Sequence, residues 1–478
     1  AAMPRGLALR WLLLAACIGV CTCEQLPCSR IPDAACGRDV VDAAVHVFAR
    51  TLRDLQTRDY FRYFPVNLEA ECPFWEDDFQ CTIDSGLAGG CTICECEEGE
   101  VPDAFLKGES AHGWVSQSVS DTSAARTEKL SQLDRSVVEP SWVSHGEDHG
   151  PLTVVNLLKN PERFTGYSGE PARRVWSSIH DENCFGSGSA DACFEKRVFY
   201  RLMSGLQSSI TTHIAREYFY PSTSSFAPNV GLFLRAVAAH EERLDNLYFA
   251  FLVTLRAVTR ARDALLEEDF GGGSAAEDAA ARALVLRLTT SSLGAAAAPG
   301  DGAGDEEAAA EQCRRGFDES ALFQVPGDDT YGGAGAQEKL ELKEELRAKF
   351  LNVSRIMDCV GCEKCRLWGK LQVLGLGTAV RILLTPPEEL SGALERREVV
   401  ALVNTLAQLA RSLEFAAEVA AGGGAAAPGA WLWEGRAWGP GDGGGPLWRA
   451  GCSAAGAVAA LAVAVAGFRI VRKPRRRT

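Results

Sequence analysis

A chain of 478 residues, 46% of them hydrophobic, can bury a large core, in two or three domains or in one large helical body with appendages. Its net charge of −14 excludes a nucleic-acid partner, because no broad basic face is left to neutralise phosphates. Its 17 cysteines, clustered in pairs and triplets, exclude a reducing compartment and read as a disulfide framework with redox-active pairs.

At the N-terminus, Arg5 and Arg10 flank the apolar run 11–20, so residues 1–20 read as a secretory signal; a short buried helix is the competing reading. Cys21, Cys23, Cys28 and Cys36 follow, close enough for local disulfides whose pairing spacing does not reveal. From Asp39 as N-cap, Val41, Val45, Phe48, Leu52 and Leu55 recur at helical spacing and predict a core-facing helix.

After Cys72-Pro73-Phe74-Trp75 come Cys81, Cys91, Cys94 and Cys96 in an acidic stretch loosened by Gly86, Gly89 and Gly90. Those glycines predict a mobile loop, and exposed cysteines on such a loop suit thiol–disulfide exchange with a partner. A zinc site built on the same cysteines is the rival. Residues 101–150 are polar surface. The motif Asn160-Pro161-Glu162-Arg163-Phe164-Thr165-Gly166-Tyr167 reads as a turn carrying a basic and a hydroxyl group, and Cys184 with Cys193 closes a Gly/Ser loop as a structural disulfide.

Val198, Leu202, Leu206, Ile210 and Ile214 mark a buried helix on which Ser204 and Gln207 share a face. A second helix carries Leu244, Leu247, Phe251, Leu255 and Val258, with Arg243 and Arg256 roughly 20 Å apart on different sides of an ideal helix. Each arginine either pairs with a neighbouring acid or serves as an anion ligand for one part of a long molecule. Residues 271–311 read as a low-complexity insertion, broken by the apolar segment 284–288. A further helix over 338–358 contains the sequon Asn352-Val353-Ser354, an N-glycosylation acceptor.

That helix delivers the chain to Cys359, Cys362 and Cys365, spaced by two residues each. A Cys-x-x-Cys puts two sulfurs within one turn, suited to a redox pair, a zinc half-site or a structural disulfide, while the third cysteine can tie that turn to a distant segment. Leu367, Leu371, Leu374 and the run 380–384 continue as a helix in which Gly375-Leu376-Gly377 predicts a helix contact rather than a nucleotide fingerprint. A last helix runs over 396–419. Residues 421–449 form a Gly/Ala/Pro/Trp linker, 450–468 a candidate membrane span with a surface-lying helix as rival, and 469–478 a basic tail assigned to the cytosol.

The stretches beginning at Cys72, Asn160, Asp181 and Cys359 together resemble the endoplasmic reticulum oxidoreductin family, flavin-dependent thiol oxidases that re-oxidise protein disulfide isomerase. The resemblance implies an all-α single domain over residues 21–420, wrapped around FAD and lying in the endoplasmic reticulum lumen in association with its membrane. It implies Cys362 and Cys365 as the inner pair beside the flavin, Cys81 and Cys91 as the outer shuttle pair, and Cys72–Cys359 as a structural bridge. FAD contacts fall on Arg163, Thr165, Trp176, Ser204, Gln207, Arg243 and Arg256, with no metal. Electrons would pass from the isomerase through both pairs and FAD to dioxygen, giving hydrogen peroxide. The run Cys91-Thr92-Ile93-Cys94-Glu95-Cys96 looks like the plant and protist branches and leaves open which of Cys91, Cys94 and Cys96 completes the shuttle. Gln207 stands where the family usually has a histidine, leaving Trp176 as the stacking platform for the adenine. The rival from another class is a non-catalytic, membrane-anchored zinc-binding or scaffold protein.

Overall fold

The structure is a computed structural model that describes residues 38–75, 90–97, 99–105, 153–161, 164–181, 193–291, 334–385, 389–390 and 392–422. The expected signal, the N-terminal cysteines, Cys81, Arg163, Cys184, the linker, the membrane-span candidate and the basic tail lie outside these residues.

Helices carry the architecture. In chain order they are α1 (Arg38–Gln56), α2 (Gly169–Asp181), α3 (Cys193–Arg216), α4 (Glu241–Arg260), α5 (Ala275–Thr289), α6 (Ala334–Met357), α7 (Glu363–Leu384) and α8 (Arg396–Gly422). Short helices, among them Asp59–Arg62 and Arg262–Glu267, and two short antiparallel ladders lie between these. Strand β1 (Tyr63–Val66) pairs with β2 (Thr153–Asn156), and β3 (Tyr218–Tyr220) pairs with β4 (Ser225–Ala227). These strands are three or four residues long, too short to separate from helix by periodicity, so the sequence does not announce them.

The centre is α7. Nearly all its side chains are buried, with α4, α6 and α8 packed against it. By length and composition it could cross a membrane, but 89% of its apolar window is inside the protein, which marks it as a core helix. Gly375 is where α7 meets α8: a Cβ there would strike the Thr405 hydroxyl and lie 2.6 Å from the Ala401 carbonyl oxygen. Gly205 does the same for α3 against the Asn246 backbone of α4. Helices α3 and α4 present the predicted apolar stripes, with Val198, Leu202, Leu206 and Ile210 facing inward along with Leu247, Phe251, Leu255 and Val258.

Polar anchors set the helix ends. Arg381 and Glu398, 3% and 1% exposed, form a 2.8 Å pair between the end of α7 and the start of α8. Glu398 also accepts the Glu395 N–H at 3.0 Å, closing the first turn of α8. Arg396 donates to the carbonyls of Tyr60 and Tyr63 at 2.8 and 2.7 Å and lies over the rings of Tyr60 and Phe105.

The reading of 271–311 as an insertion is corrected for residues 275–289, which form α5 packed against α1. Ser274 caps it by accepting the Glu277 N–H, and Ala281, Val285 and Leu288 supply a narrow buried stripe. Alanine is the strongest helix former, so an alanine-rich segment needs only such a stripe to dock. Asn352, the expected glycan acceptor, sits half-buried in α6, with Ser354 buried two residues on.

His213 on α3 is buried and donates to the Gln408 carbonyl at 3.0 Å in its neutral form, and burial, then Arg411, holds its pKa well below the ordinary value. The unfolded chain binds a proton there at mildly acid pH and the fold does not. This contribution is therefore complete above about pH 6.5 and is lost as pH falls below it. Denaturant midpoints are expected to drop between pH 7.5 and 5, and less steeply in His213→Gln; equal slopes would contradict this role.

Candidate active site at the head of the central helix

Helix α7 begins at the cysteine triplet. Cys362 is its N-cap and accepts the Cys365 N–H through Sγ at 3.2 Å. The sulfur therefore lies at the positive end of the helix dipole, which favours a thiolate whenever the pair is reduced. Cys362 and Cys365 are joined as a disulfide and are fully buried.

The loop in front of the helix is held rigidly. Cys359 is bonded to Cys72 across 287 residues of sequence. Arg366 donates to the carbonyls of Val360, Leu68 and Ala70 at 3.1, 2.7 and 3.3 Å, tying the segment before Cys72 to the same turn. Lys370 pairs with Asp358, next to Cys359.

On one side of the inner disulfide lies the segment around Cys91. The Lys364 N–H, between the two inner cysteines, donates to the Cys91 carbonyl at 3.1 Å. The Ile93 N–H donates to Glu363 Oε2 at 2.8 Å. Asn160 accepts the Cys94 N–H at 2.7 Å and returns a bond to the Cys94 carbonyl at 2.9 Å, while its own carbonyl accepts the Trp368 indole N–H at 2.7 Å. The expected mobile, exposed loop is thus corrected from residue 90 onward: these residues are docked and Cys91 is 9% exposed. The reason is backbone satisfaction, since each of these polar groups finds a partner on or beside α7.

Cys91 and Cys94 each take part in a disulfide, while Cys96 is a free, half-buried thiol whose pKa is pushed up first by burial and then by Glu100. Sulfurs held in disulfides are not thiolate zinc ligands, so in this structure Cys91 and Cys94 are committed to disulfides. Among the described residues the one group able to hold a metal is His46, Glu414 and Glu418, and there Arg53 already pairs with Glu414 at 3.2 Å.

On the other side, Gly166 donates its N–H to Cys365 Sγ at 3.3 Å. A Cβ on Gly166 would lie 2.8 Å from Val360 Cγ1 and 3.3 Å from both inner cysteine Cβ atoms, so only glycine allows this approach. Tyr167 donates its hydroxyl to the Cys365 carbonyl at 3.2 Å and touches Met357 Sδ at 3.1 Å. Burial raises its pKa, so it stays a phenol donor. The same tyrosine begins the wall of a cavity of about 490 Å³ that continues through Trp176, His180, Gln207 and Thr211.

Of the expected cofactor contacts, Trp176 and Gln207 line this cavity. Ser204, one turn before Gln207, is buried and accepts from Asn246 at 3.0 Å. The backbone of Thr165 lies in the 3₁₀ turn Phe164–Tyr167 beside the inner pair. Arg243 and Arg256 fall outside the lining: Arg243 is exposed and donates to the Ala236 carbonyl at 2.7 Å, and Arg256 is buried in α4. No motif marks His180, four positions after Trp176 and hence on the same helix face, or the side-chain bonds by which Asn160 and Glu363 hold the backbone of residues 93–94.

The chain is similar to one family over most of its length. The profile described as Endoplasmic Reticulum Oxidoreductin 1 (ERO1) matches residues 47–416. Endoplasmic reticulum oxidoreductin-2 of Arabidopsis thaliana is 37% identical over 423 residues, 84% of this chain and 83% of that protein. ERO1-like protein alpha of Homo sapiens is 31% identical, over 80% of this chain and 88% of that protein. Among solved structures, a double-cysteine mutant of S. cerevisiae Ero1p aligns with a TM-score of 0.54 at 25% identity, covering 81% of this chain and 98% of that one.

The close approach of α7 to Tyr167 yields a test. A Cβ on Gly369 would collide with the Tyr167 hydroxyl and meet Met357 Sδ at 3.0 Å. Gly369→Ala is expected to cost about 1–3 kcal/mol of unfolding free energy. Adding Tyr167→Phe should restore most of that loss, and additive effects in the double mutant would contradict the contact.

Proposed function

Because the chain belongs to the endoplasmic reticulum oxidoreductin family, we propose that it is an FAD-dependent thiol oxidase that re-oxidises protein disulfide isomerase in the endoplasmic reticulum lumen. The observation that carries this reading is the docking of the Cys91 carbonyl on the Lys364 N–H, which brings an outer cysteine against the inner disulfide. An oxidoreductase needs such an approach on one side and a cofactor site on the other, and Tyr167 joins the inner pair to a cavity of suitable size.

A thiolate of the isomerase attacks the outer disulfide, assigned to Cys81 and Cys91, and a mixed disulfide forms. The second isomerase thiol releases it, leaving the isomerase oxidised and the outer pair reduced. The reduced outer pair then attacks Cys362–Cys365 by the same exchange. The N-cap position of Cys362 and the Gly166 N–H at Cys365 Sγ stabilise the thiolates this releases.

The cavity fits the expected cofactor, since it pairs an aromatic wall, Trp176, with a buried, unsatisfied ring nitrogen, Nδ1 of His180. Trp176 and Gln207 hold FAD there, with Arg163, Thr165, Ser204, Arg243 and Arg256 assigned to the parts beyond the cavity. When bound, FAD takes the electron pair of the inner dithiol and passes it to dioxygen, giving hydrogen peroxide. Cys184–Cys193 is assigned as a structural bridge, and residues 450–468 as the attachment to the membrane.

Purified full-length protein is expected to show a flavin absorption spectrum and to consume oxygen with a reduced isomerase. Cys362→Ala combined with Cys365→Ala should abolish consumption while the flavin stays bound; retained turnover, or a colourless protein carrying zinc, would overturn the reading. Glu363→Ala removes the acceptor of the Ile93 N–H and is expected to slow inner-pair reduction by about tenfold or more, a hydrogen bond to a charged group contributing about 1.5–3 kcal/mol. An unchanged stopped-flow rate would contradict the docking role.

A further inference from the structure

We infer that Asn160 is a positioning residue that sets the outer cysteine segment against the inner disulfide, and that it governs transfer between the two pairs rather than the encounter with the partner. This inference rests on the thiol-oxidase reading. The Asn160 side chain is fully buried, and both its amide hydrogens and its oxygen are used. Oδ1 accepts the Cys94 N–H at 2.7 Å, while Nδ2 donates to the carbonyls of Cys94 and Asn156 at 2.9 and 3.1 Å. Turned about, the amide would set its oxygen against two carbonyls and its donors against an N–H, so its orientation is fixed.

An amide that exchanges both bonds with one residue imitates the backbone of a neighbouring strand, and it grips Cys94 without touching what that side chain does. Glu95, the next residue, bridges to Val155 on β2. Behind the amide, the Asn160 N–H donates to the Asn156 carbonyl at 3.1 Å. Asn156 is held in turn by Glu100, whose carboxylate accepts the Asn156 amide at 2.8 Å and Lys159 at 2.7 Å. In front, the Asn160 carbonyl accepts the indole N–H of Trp368, three residues after Cys365 on α7. One residue thus ties the segment carrying Cys91 and Cys94 to the helix carrying the inner pair.

The two exchange steps make opposite demands on that segment. In the inner step an outer thiolate attacks one inner sulfur in line, and the other inner sulfur leaves as a thiolate. The second outer thiol then resolves the mixed disulfide, so that the outer disulfide is re-formed and the inner pair is left as a dithiol. A displacement on the order of 1 Å slows such a step steeply, so docking serves it. The outer step needs the partner's thiolate to reach a sulfur, and docking leaves Cys91 only 9% exposed. Loss of the Asn160 bonds therefore slows the inner step and spares the outer one, a split that general damage to the fold does not produce.

The test is an anaerobic single turnover of full-length protein with reduced isomerase. Quenched flow reads oxidation of the isomerase, and flavin absorbance reads arrival of the electron pair. Asn160→Asp keeps the size and the acceptor but loses both donated bonds. It is expected to slow flavin reduction about tenfold, the scale of one buried hydrogen bond, while the isomerase is oxidised at least as fast as by wild type. Trp368→Phe, which removes only the bond to the Asn160 carbonyl, should slow the same step alone and carries the test if Asn160→Asp does not fold. Variants that slow both steps equally, or neither, would overturn the inference and leave the oxidase reading intact. A wild type whose flavin is not reduced by the isomerase would instead overturn the oxidase reading.

Discussion

The sulfur of Cys362 caps the central helix, and most of the structure serves to keep that cap in one place. A helix start leaves backbone N–H groups without intrahelical partners. Here one of them bonds to the Cys362–Cys365 disulfide itself, so the proposed chemistry and the first turn of α7 share an atom. The cap could not hold its position alone. The bridge from Cys72 to Cys359, the Arg366 staple and the Lys370–Asp358 pair fix the loop in front of it, while α4, α6 and α8 fix the helix behind it.

From this fixed point the protein faces two ways. The Cys91 segment approaches on one side through backbone hydrogen bonds to Lys364, Glu363 and Asn160. On the other, Gly166 and Tyr167 press against Cys365 and open into the Trp176 cavity. On the first side the docking runs through the main chain of the segment and leaves the Cys91 side chain to its disulfide. Close steric fit suits the second, where the absence of a side chain at Gly166 and Gly369 lets helix and turn touch.

Much of this was legible in the sequence. The i, i+4 stripes of α1, α3 and α4 mark core faces because burying apolar surface dominates helix placement. The triplet spacing points to the Cys362–Cys365 pairing for a local reason, since one turn brings residues three apart together. What escaped was long-range or weakly patterned. Helix α5 hides its stripe among alanines, and β1 finds β2 across a long interval that no local signal predicts. The burial of Cys91 depends on partners on α7, far away in sequence, so glycine content alone suggested mobility. His180 carries no motif, and its contact with Gln207, 27 positions away, has no local signal.

The central claim is that the outer cysteine at position 91 exchanges directly with the inner pair at the helix cap. It is tested most directly in Cys365→Ala, which leaves Cys362 without its partner. Mass spectrometry of this variant, digested under non-reducing conditions, should find Cys362 in a mixed disulfide with Cys91. A Cys362 found alone, or linked to Cys96, would contradict the account.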